Sequence, residues 1–305
     1  MSLFSYHIFD AVVKQKSFLK AAEVMNLTPS AVSHSIASLE SMLGFPLFVR
    51  TRTGVQLTSE AESLIIHVRT ILNCEEQLMQ EVAQINGLNK GTVVIGAFNS
   101  VCINWIPDII KTFEILYPNI NVNIFQGGYE DIISWSKMGI IDIGFGILPV
   151  SGDLVETPLH KDRLVCITPN NYKPARSKYV TIDDIRNKTF VLQREGTNAD
   201  IMAFIKKYDL SVRSQFFMED DQSIIAMVES GFGISIVPEL VLSKLKNDVN
   251  IYPIKPEEYR VIGLLTNKKQ LLAPATVKMF HHIIDYVKEN NLMNVDNPKS
   301  MKSKV

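Results

Sequence analysis

Thr28, Ser30, Ser33 and His34 lie within one seven-residue stretch, and Arg50 and Arg52 come after it. Hydroxyl and imidazole groups can exchange hydrogen bonds with base edges or with phosphate oxygens, while guanidinium groups grip phosphates or enter a minor groove. Such a set reads nucleic acid if one helix presents the first four residues and one hairpin presents the arginines. Residue type alone leaves open which of the four meets a base. A second set is dispersed: Asn99, Ser100, Gln126, Gly127, Ile147, Gln193, Thr197 and Asn198 fall in the loops expected after strands, where α/β folds bind small molecules. Each is equally a loop residue satisfying its own turn. Ser100 and Thr197 adjoin expected helix starts, whose free N–H groups favour an anionic or carbonyl group, so an organic acid or an amino-acid derivative is the expected ligand class.

Catalytic patterns are missing. Nothing has the spacing of a nucleophile elbow, a phosphate loop or an acid/base pair, so an enzyme is not expected. Cys74, Cys102 and Cys166 form no CxxC and have no histidine at metal-ligand spacing, and neither a disulfide framework, a metal nor a cofactor is expected. Cys102 would sense redox state only if a helix terminus lowered its pKa; a small buried thiol is the commoner outcome. His281 and His282, adjacent on a helix, point in different directions and read as surface and rim residues. Trp105 and Trp135 read as packing.

The elements that must position these groups follow from local pattern. Leu3, Tyr6, Ile8, Phe9, Val12 and Val13 make the apolar face of a first helix. Ser17 caps a second helix, in which Ala21 and Ala22 permit close approach, and Asn26 supplies a left-handed turn. Thr28 and Pro29 then open a third helix that Gly44 ends. Its stripe Val32, Ile36, Leu39 and Leu43 faces inward and leaves Ser30, Ser33 and His34 outward. Leu47–Val49 and Val55–Leu57 flank Arg50–Gly54 as a wing hairpin. This is a helix-turn-helix with a wing, the geometry that enters a major groove. From Thr58 and Ser59, with Glu62 completing a capping box, a helix without Gly or Pro runs to about Asn86. Ala61, Leu64, Val68, Ile71, Glu75, Leu78, Val82 and Ile85 form a heptad seam, so this helix is expected to pair with a second copy. Glu75 in that seam marks either a local offset or a polar register device.

Beyond Gly91, strands and helices alternate as in a doubly wound α/β fold. Bulk composition agrees with several domains: the chain has 305 residues, 46% of them hydrophobic. The net charge of −1 lends no support to a nucleic-acid partner, and that reading rests on local pattern. His7, Asp10, Lys14 and Lys16 interrupt the first apolar residues, so neither a leader nor a membrane span is expected, and the cytoplasm is the expected compartment.

Phe9, Ser17-Phe18, Ala21-Ala22-Glu23, Leu27-Thr28, Ala31-Val32-Ser33, Ile36, Leu39-Glu40, Leu43-Gly44, Leu47-Phe48, Arg50 and Leu57-Thr58 resemble, in that spacing, the LysR-type transcriptional regulators. Gly91 to Gly96, Tyr117-Pro118, Gly139 with Asp142, and Gly231 to Pro238 extend the resemblance over nearly the whole chain. Departures fall at Pro29-Ser30, where the family often has Gln-Pro, at His34, where it has Arg, and at Ala61, where it has Gly; they bear on operator preference and not on fold. The resemblance implies a winged helix-turn-helix over 1–58, a linker and dimerisation helix over 59–87 and a bilobed, periplasmic-binding-protein-like α/β sensor. In the sensor, 88–163 with 266–293 would form one lobe and 164–265 the other, before a flexible tail at 294–305. It implies a ligand-responsive regulator that binds double-stranded operator DNA as a dimer or tetramer, senses a small molecule in the cleft between its lobes and has no membrane partner. The competing reading is a cytoplasmic solute-binding protein without a role in gene regulation.

Overall fold

Serine, threonine and glycine punctuate the amino-terminal helices where the sequence places them. The computed structural model describes residues 2–51, 54–86, 88–176, 178–194, 199–210, 213–244 and 248–295. Helix α1 (Leu3–Gln15) starts at Ser2, whose side chain accepts from the Ser5 N–H, and stops at Lys16 in the left-handed region. Helix α2 (Phe18–Val24) is capped by Ser17, and Asn26, at φ +53°, turns the chain into α3 (Pro29–Leu43), capped by Thr28 and ended by Gly44. Strand β1 (Phe48–Thr51) pairs antiparallel with β2 (Gly54–Leu57), placing Phe48 opposite Leu57 and Arg50 opposite Val55. Helix α4 (Ser59–Ile85) follows. Its cap is Thr58 alone, accepting from Ala61 N–H, and not the expected Ser59–Glu62 box: Thr58 has the extended backbone a cap requires, whereas Ser59 is already helical and its hydroxyl donates to Glu60.

One core holds these pieces together. Ile8, Phe9, Val12, Ala21, Ala22, Val32, Ile36, Leu39 and Leu47 pack with Ala61, Ile65 and Val68 of α4. A buried ion pair adds to it: Arg69 Nε lies 2.7 Å from Asp10 Oδ1, and Lys14 approaches the other oxygen at the same distance. Burial alone would raise the Asp10 pKa, but the two cations outweigh it and hold the carboxyl below its ordinary range. The pair therefore contributes stability above the ordinary carboxylate pKa, and that contribution is lost as pH falls through the lowered value.

The chain divides into two units, Met1–Leu88 with the short stretches Met138–Ile140 and Gln270–Pro274, and an α/β unit comprising the rest. The α/β unit begins β3 (Gly91–Ala97), α5 (Asn99–Asn104), α6 (Ile106–Leu116), β4 (Ile120–Gln126), α7 (Tyr129–Lys137) and β5 (Ile143–Leu148). A long strand β6 (Leu154–Thr168) leads to β7 (Val180–Thr181), α8 (Ile182–Ile185), β8 (Thr189–Gln193), α9 (Ala199–Lys207), β9 (Arg213–Met218), α10 (Asp221–Glu229), β10 (Ser235–Pro238) and α11 (Glu239–Leu242). Then come β11 (Asn250–Lys255), β12 (Tyr259–Asn267) and α12 (Pro274–Glu289).

Strand order β4-β3-β5-β12-β6 builds the first lobe; the far end of β6 pairs with β10 and β11 in the second, where β8 and β9 form a parallel pair bridged to Ile234 beside β10. The outward crossing falls inside β6, since Arg163 pairs with Tyr259 and Leu164 with Pro238. The return crossing lies between β11 and β12. Val261–Leu265 pair with β5, so by pairing the start of β12 belongs to the first lobe, whereas the expected boundary assigns 164–265 to the second. An apolar alternation marks a strand but not its neighbour. Strand β11 carries Pro253, whose missing N–H is tolerated in the pairing with Val165. Among the described residues no helix is long and apolar enough to cross a membrane.

Candidate functional site

In the amino-terminal unit, Thr28, Ser30, Ser33 and His34 are all exposed on the first turns of α3 while Val32, Ile36 and Leu39 behind them are buried. Thr28 also serves as the cap, its Oγ1 accepting from Ala31 N–H at 3.2 Å. Arg50 is exposed on β1; Arg52 lies outside the described residues. The wing is fixed to the helices. Phe48 stacks edge-on against Phe9 and Phe18 with ring centroids 5.5 Å apart in each case, and Val55 N–H donates to the Lys16 carbonyl. Gly54 is required there, because its φ is +135° and a Cβ would stand 2.5 Å from that same carbonyl oxygen. The polar face of α3 and the Arg50 guanidinium thus ride on one packed module.

Helix α4 divides the heptad seam. Ala61 and Val68 are buried and Leu64 partly so, whereas Ile71, Leu78, Val82 and Ile85 are exposed, Leu78 at 62% and Ile85 at 82%. Glu75 pairs with His7 of α1 at 2.7 Å, so it faces its own module. The first half of the helix lies on its own core and the second half presents an uncovered apolar stripe at heptad spacing.

In the α/β unit, a cleft of about 440 Å³ opens between the lobes, lined by Asn99, Ser100, Gln126 and Gly127 from the first and Gln193 from the second. Asn99 joins the two sides, its side-chain amide donating to Asp221 Oδ2 at 3.0 Å and its carbonyl oxygen accepting from Gln126. Gln193 donates to the Glu219 carbonyl. Gly127 has the Trp135 ring against its Cα, where a Cβ would come within 2.5 Å of the ring. Ser100 differs from its expected setting: α5 begins at Asn99 and has six residues, and the Ser100 hydroxyl, 3% exposed, accepts from Arg260 Nη2 at 2.9 Å. Ile147 lies within β5 opposite Ile262 and does not line the cleft, because the strand runs to Leu148 and the loop begins later than the sequence suggests. Thr197 and Asn198 fall outside the described residues.

Sequence reasoning missed the centre of the site. Arg260, 4% exposed, donates through Nε to Asp162 at 2.8 Å, through Nη2 to Ser100 and through Nη1 to the Tyr129 hydroxyl at 2.7 Å; Nη2 also lies 2.7 Å from Asp162 as an ion pair, and Asp200 is 3.5 Å from Nη1. The Phe98 ring lies 5.1 Å beneath the guanidinium. Burial alone would lower the Arg260 pKa, but Tyr129, Asp162 and Asp200 more than reverse that, and it remains a permanent cation. Tyr129 is itself held protonated by burial. A signal did exist: Arg260 shares a strand face with Ile262 and Leu264, and Asp162 shares one with Leu164 and Cys166, all buried. A charge inside a period-two apolar face on each of two strands marks a buried ion pair. The Cys102 thiol is pushed up to about 11 by burial, which removes the basis for a reactive thiolate.

Comparison with known proteins adds three findings. Residues 3–62 match the family model described as bacterial regulatory helix-turn-helix protein, lysR family, and residues 86–288 match the LysR substrate binding domain. The transcriptional dual regulator GltC of Bacillus subtilis (strain 168) is 27% identical over 263 residues, covering 84% of this chain and 88% of that protein. In fold, full-length OxyR from Pseudomonas aeruginosa superposes with a TM-score of 0.79 at 17% identity, covering 100% of this chain and 99% of that one, and CbnR in complex with its target DNA with a TM-score of 0.63 at 18% identity, covering 94% and 100%.

Proposed function

The chain belongs to the LysR family of transcriptional regulators, and from that premise we propose how its residues divide the work. It is a DNA-binding regulator that responds to a small molecule, not an enzyme. The observation that carries the DNA-binding reading is the exposed row Thr28, Ser30, Ser33 and His34 on α3, held in one packed module with Arg50. The α3 side chains enter the major groove of operator DNA, and Arg50 with Arg52 takes phosphate or the minor groove beside it. Residues 1–58 act as the reading head. Residues 59–87 hold two heads together through the uncovered stripe of α4, and the two lobes from residue 88 to about 293 form the sensor. A tetramer would add contacts between sensors, and the compartment is the cytoplasm.

The cleft takes the effector, with Asn99, Ser100, Gln126, Gly127, Gln193, Thr197 and Asn198 as candidate residues. Of the two ligand classes suggested by sequence, the carboxylates around the cavity favour an amine-bearing amino-acid derivative over a simple organic acid.

Arg50→Ala tests the docking. Operator affinity should fall by on the order of tenfold at physiological salt, and the slope of log affinity against log salt should shrink by about 1 for each phosphate that the variant no longer neutralises. Fluorescence anisotropy measures both. Unchanged affinity and slope, in a protein of unchanged oligomeric state, would remove the wing from the interface.

A further inference from the structure

Four carboxylates line the cleft, from Asp200, Glu219, Asp220 and Asp221, against the single guanidinium of Arg260. That guanidinium is already committed. Its Nε donates to Asp162 behind the cleft wall, with Nη2 2.7 Å from the same carboxylate, Nη2 donates to Ser100, and Nη1 serves Tyr129 with Asp200 beside it. An incoming carboxylate would have to displace Asp162, which is 2% exposed and also accepts from the Leu240 N–H at 3.0 Å. Arg260 is the one cation lining the described wall, and each of its three nitrogens already has a partner.

Two of the other carboxylates have occupations: Asp220 caps α10 through Ser223, and Glu219 pairs with Arg194 in an exposed ion pair. Asp221 has no such partner. It is 8% exposed, lines the cavity, accepts one hydrogen bond from the neutral Asn99 amide, and has no cation within ion-pair distance among the described residues. Burial raises its pKa; the Asn99 hydrogen bond and the more distant charge of Arg260 pull it down, Asp200 and Asp220 push it up again, and the net direction is upward. A carboxylate kept out of water with no cation in direct contact is costly to ionise, and a ligand that sets a cation against it relieves that cost.

We propose that the cleft selects a cationic effector, a small molecule carrying at least one ammonium group that seats against Asp221 with Asp200 nearby, its remaining length lying along the apolar and amide surface of Phe98, Gln126 and Gln193. The proposal rests on the reading of this cleft as the effector site. An ammonium ion supplies the missing positive charge and up to three donors to carboxylate oxygens. A neutral polar ligand leaves the buried charge uncompensated, and a dianion adds repulsion.

The test uses the full-length chain and isothermal titration calorimetry with 1,3-diaminopropane, 1,4-diaminobutane, 1,5-diaminopentane, L-lysine and, as counter-probe, sodium succinate. At least one ammonium compound should bind one per chain with Kd below about 1 mM, and Asp221→Asn, which keeps the Asn99 hydrogen bond, should weaken it at least tenfold. Asp200→Asn should weaken it in the same direction. Binding of succinate in preference to every ammonium compound, equal cation binding by wild type and Asp221→Asn, or no cation binding at all would overturn the proposal. Operator binding by the same preparations is read separately. Its loss would count against the regulator reading alone, whereas preferential succinate binding with operator binding intact would overturn only the charge of the ligand.

Discussion

Arg260→Met is expected to cost the α/β unit about 3–5 kcal/mol, the range for leaving a buried charge without its partner. Methionine is similar in length and apolar, so little volume is lost. What remains is Asp162, 2% exposed and, among the described residues, with the Leu240 N–H as its remaining hydrogen-bond donor, together with Asp200 and Asp221, which lose the nearest positive charge. Against a typical domain stability of about 5–15 kcal/mol, such a loss brings the unit close to unfolding at ambient temperature. Both tryptophans, Trp105 and Trp135, belong to this unit, so urea unfolding followed by tryptophan fluorescence reports on it directly. The double variant Arg260→Met with Asp162→Leu should recover much of the stability, because removing both charges removes the desolvation cost as well as the attraction. A single variant within about 1 kcal/mol of wild type would show that the guanidinium does not organise the cleft.

Leu78→Asp combined with Val82→Asp is expected to convert the protein from dimer to monomer and to weaken operator binding at least about a hundredfold. Both side chains are exposed on α4, so the substitutions remove no packing from the protein's own core. They sit four residues apart, with Ile71 and Ile85 continuing the stripe at seven- and three-residue steps, and four carboxylates would face one another across a paired helix. DNA affinity falls with the dimer because a second reading head, once the first is bound, acts at a high effective concentration that a free monomer lacks. Light scattering after size exclusion and anisotropy on the same samples give the two readouts. A protein that stays dimeric would relocate the interface away from α4.

The parts legible in the sequence are those fixed by neighbours in the chain. Ser17, Thr28, Gly44 and Asn26 act as caps and turns through their own backbone geometry, and a wing of alternating residues around Arg50 needs only two short strands to pair. Glu75 is ambiguous in sequence because its partner His7 is 68 residues away. The strand partners of β12 and the late end of β5 are equally illegible, since alternation describes a strand and not the sheet position it takes, and Ile147 lies off the cleft for that reason. The cleft centre shows the limit most sharply. Ser100 and Arg260, separated by 160 residues, meet only once β12 has returned to the first lobe. The buried charges of Arg260 and Asp162 stand out against apolar strand faces, but their pairing does not. Without it, the loops suggest an anion site where the assembled wall is rich in carboxylates.

Reading of a specific DNA sequence by a pair of winged helix-turn-helix units follows from the proposed division of work along the chain. Anisotropy of the purified full-length chain on duplexes it has itself selected from a random pool tests that most directly. Two inverted half-sites are expected in the selected sequences, with binding at least about a thousandfold tighter than to a scrambled duplex at physiological salt. Equal affinity for selected and scrambled duplexes, or no binding to either, would contradict it.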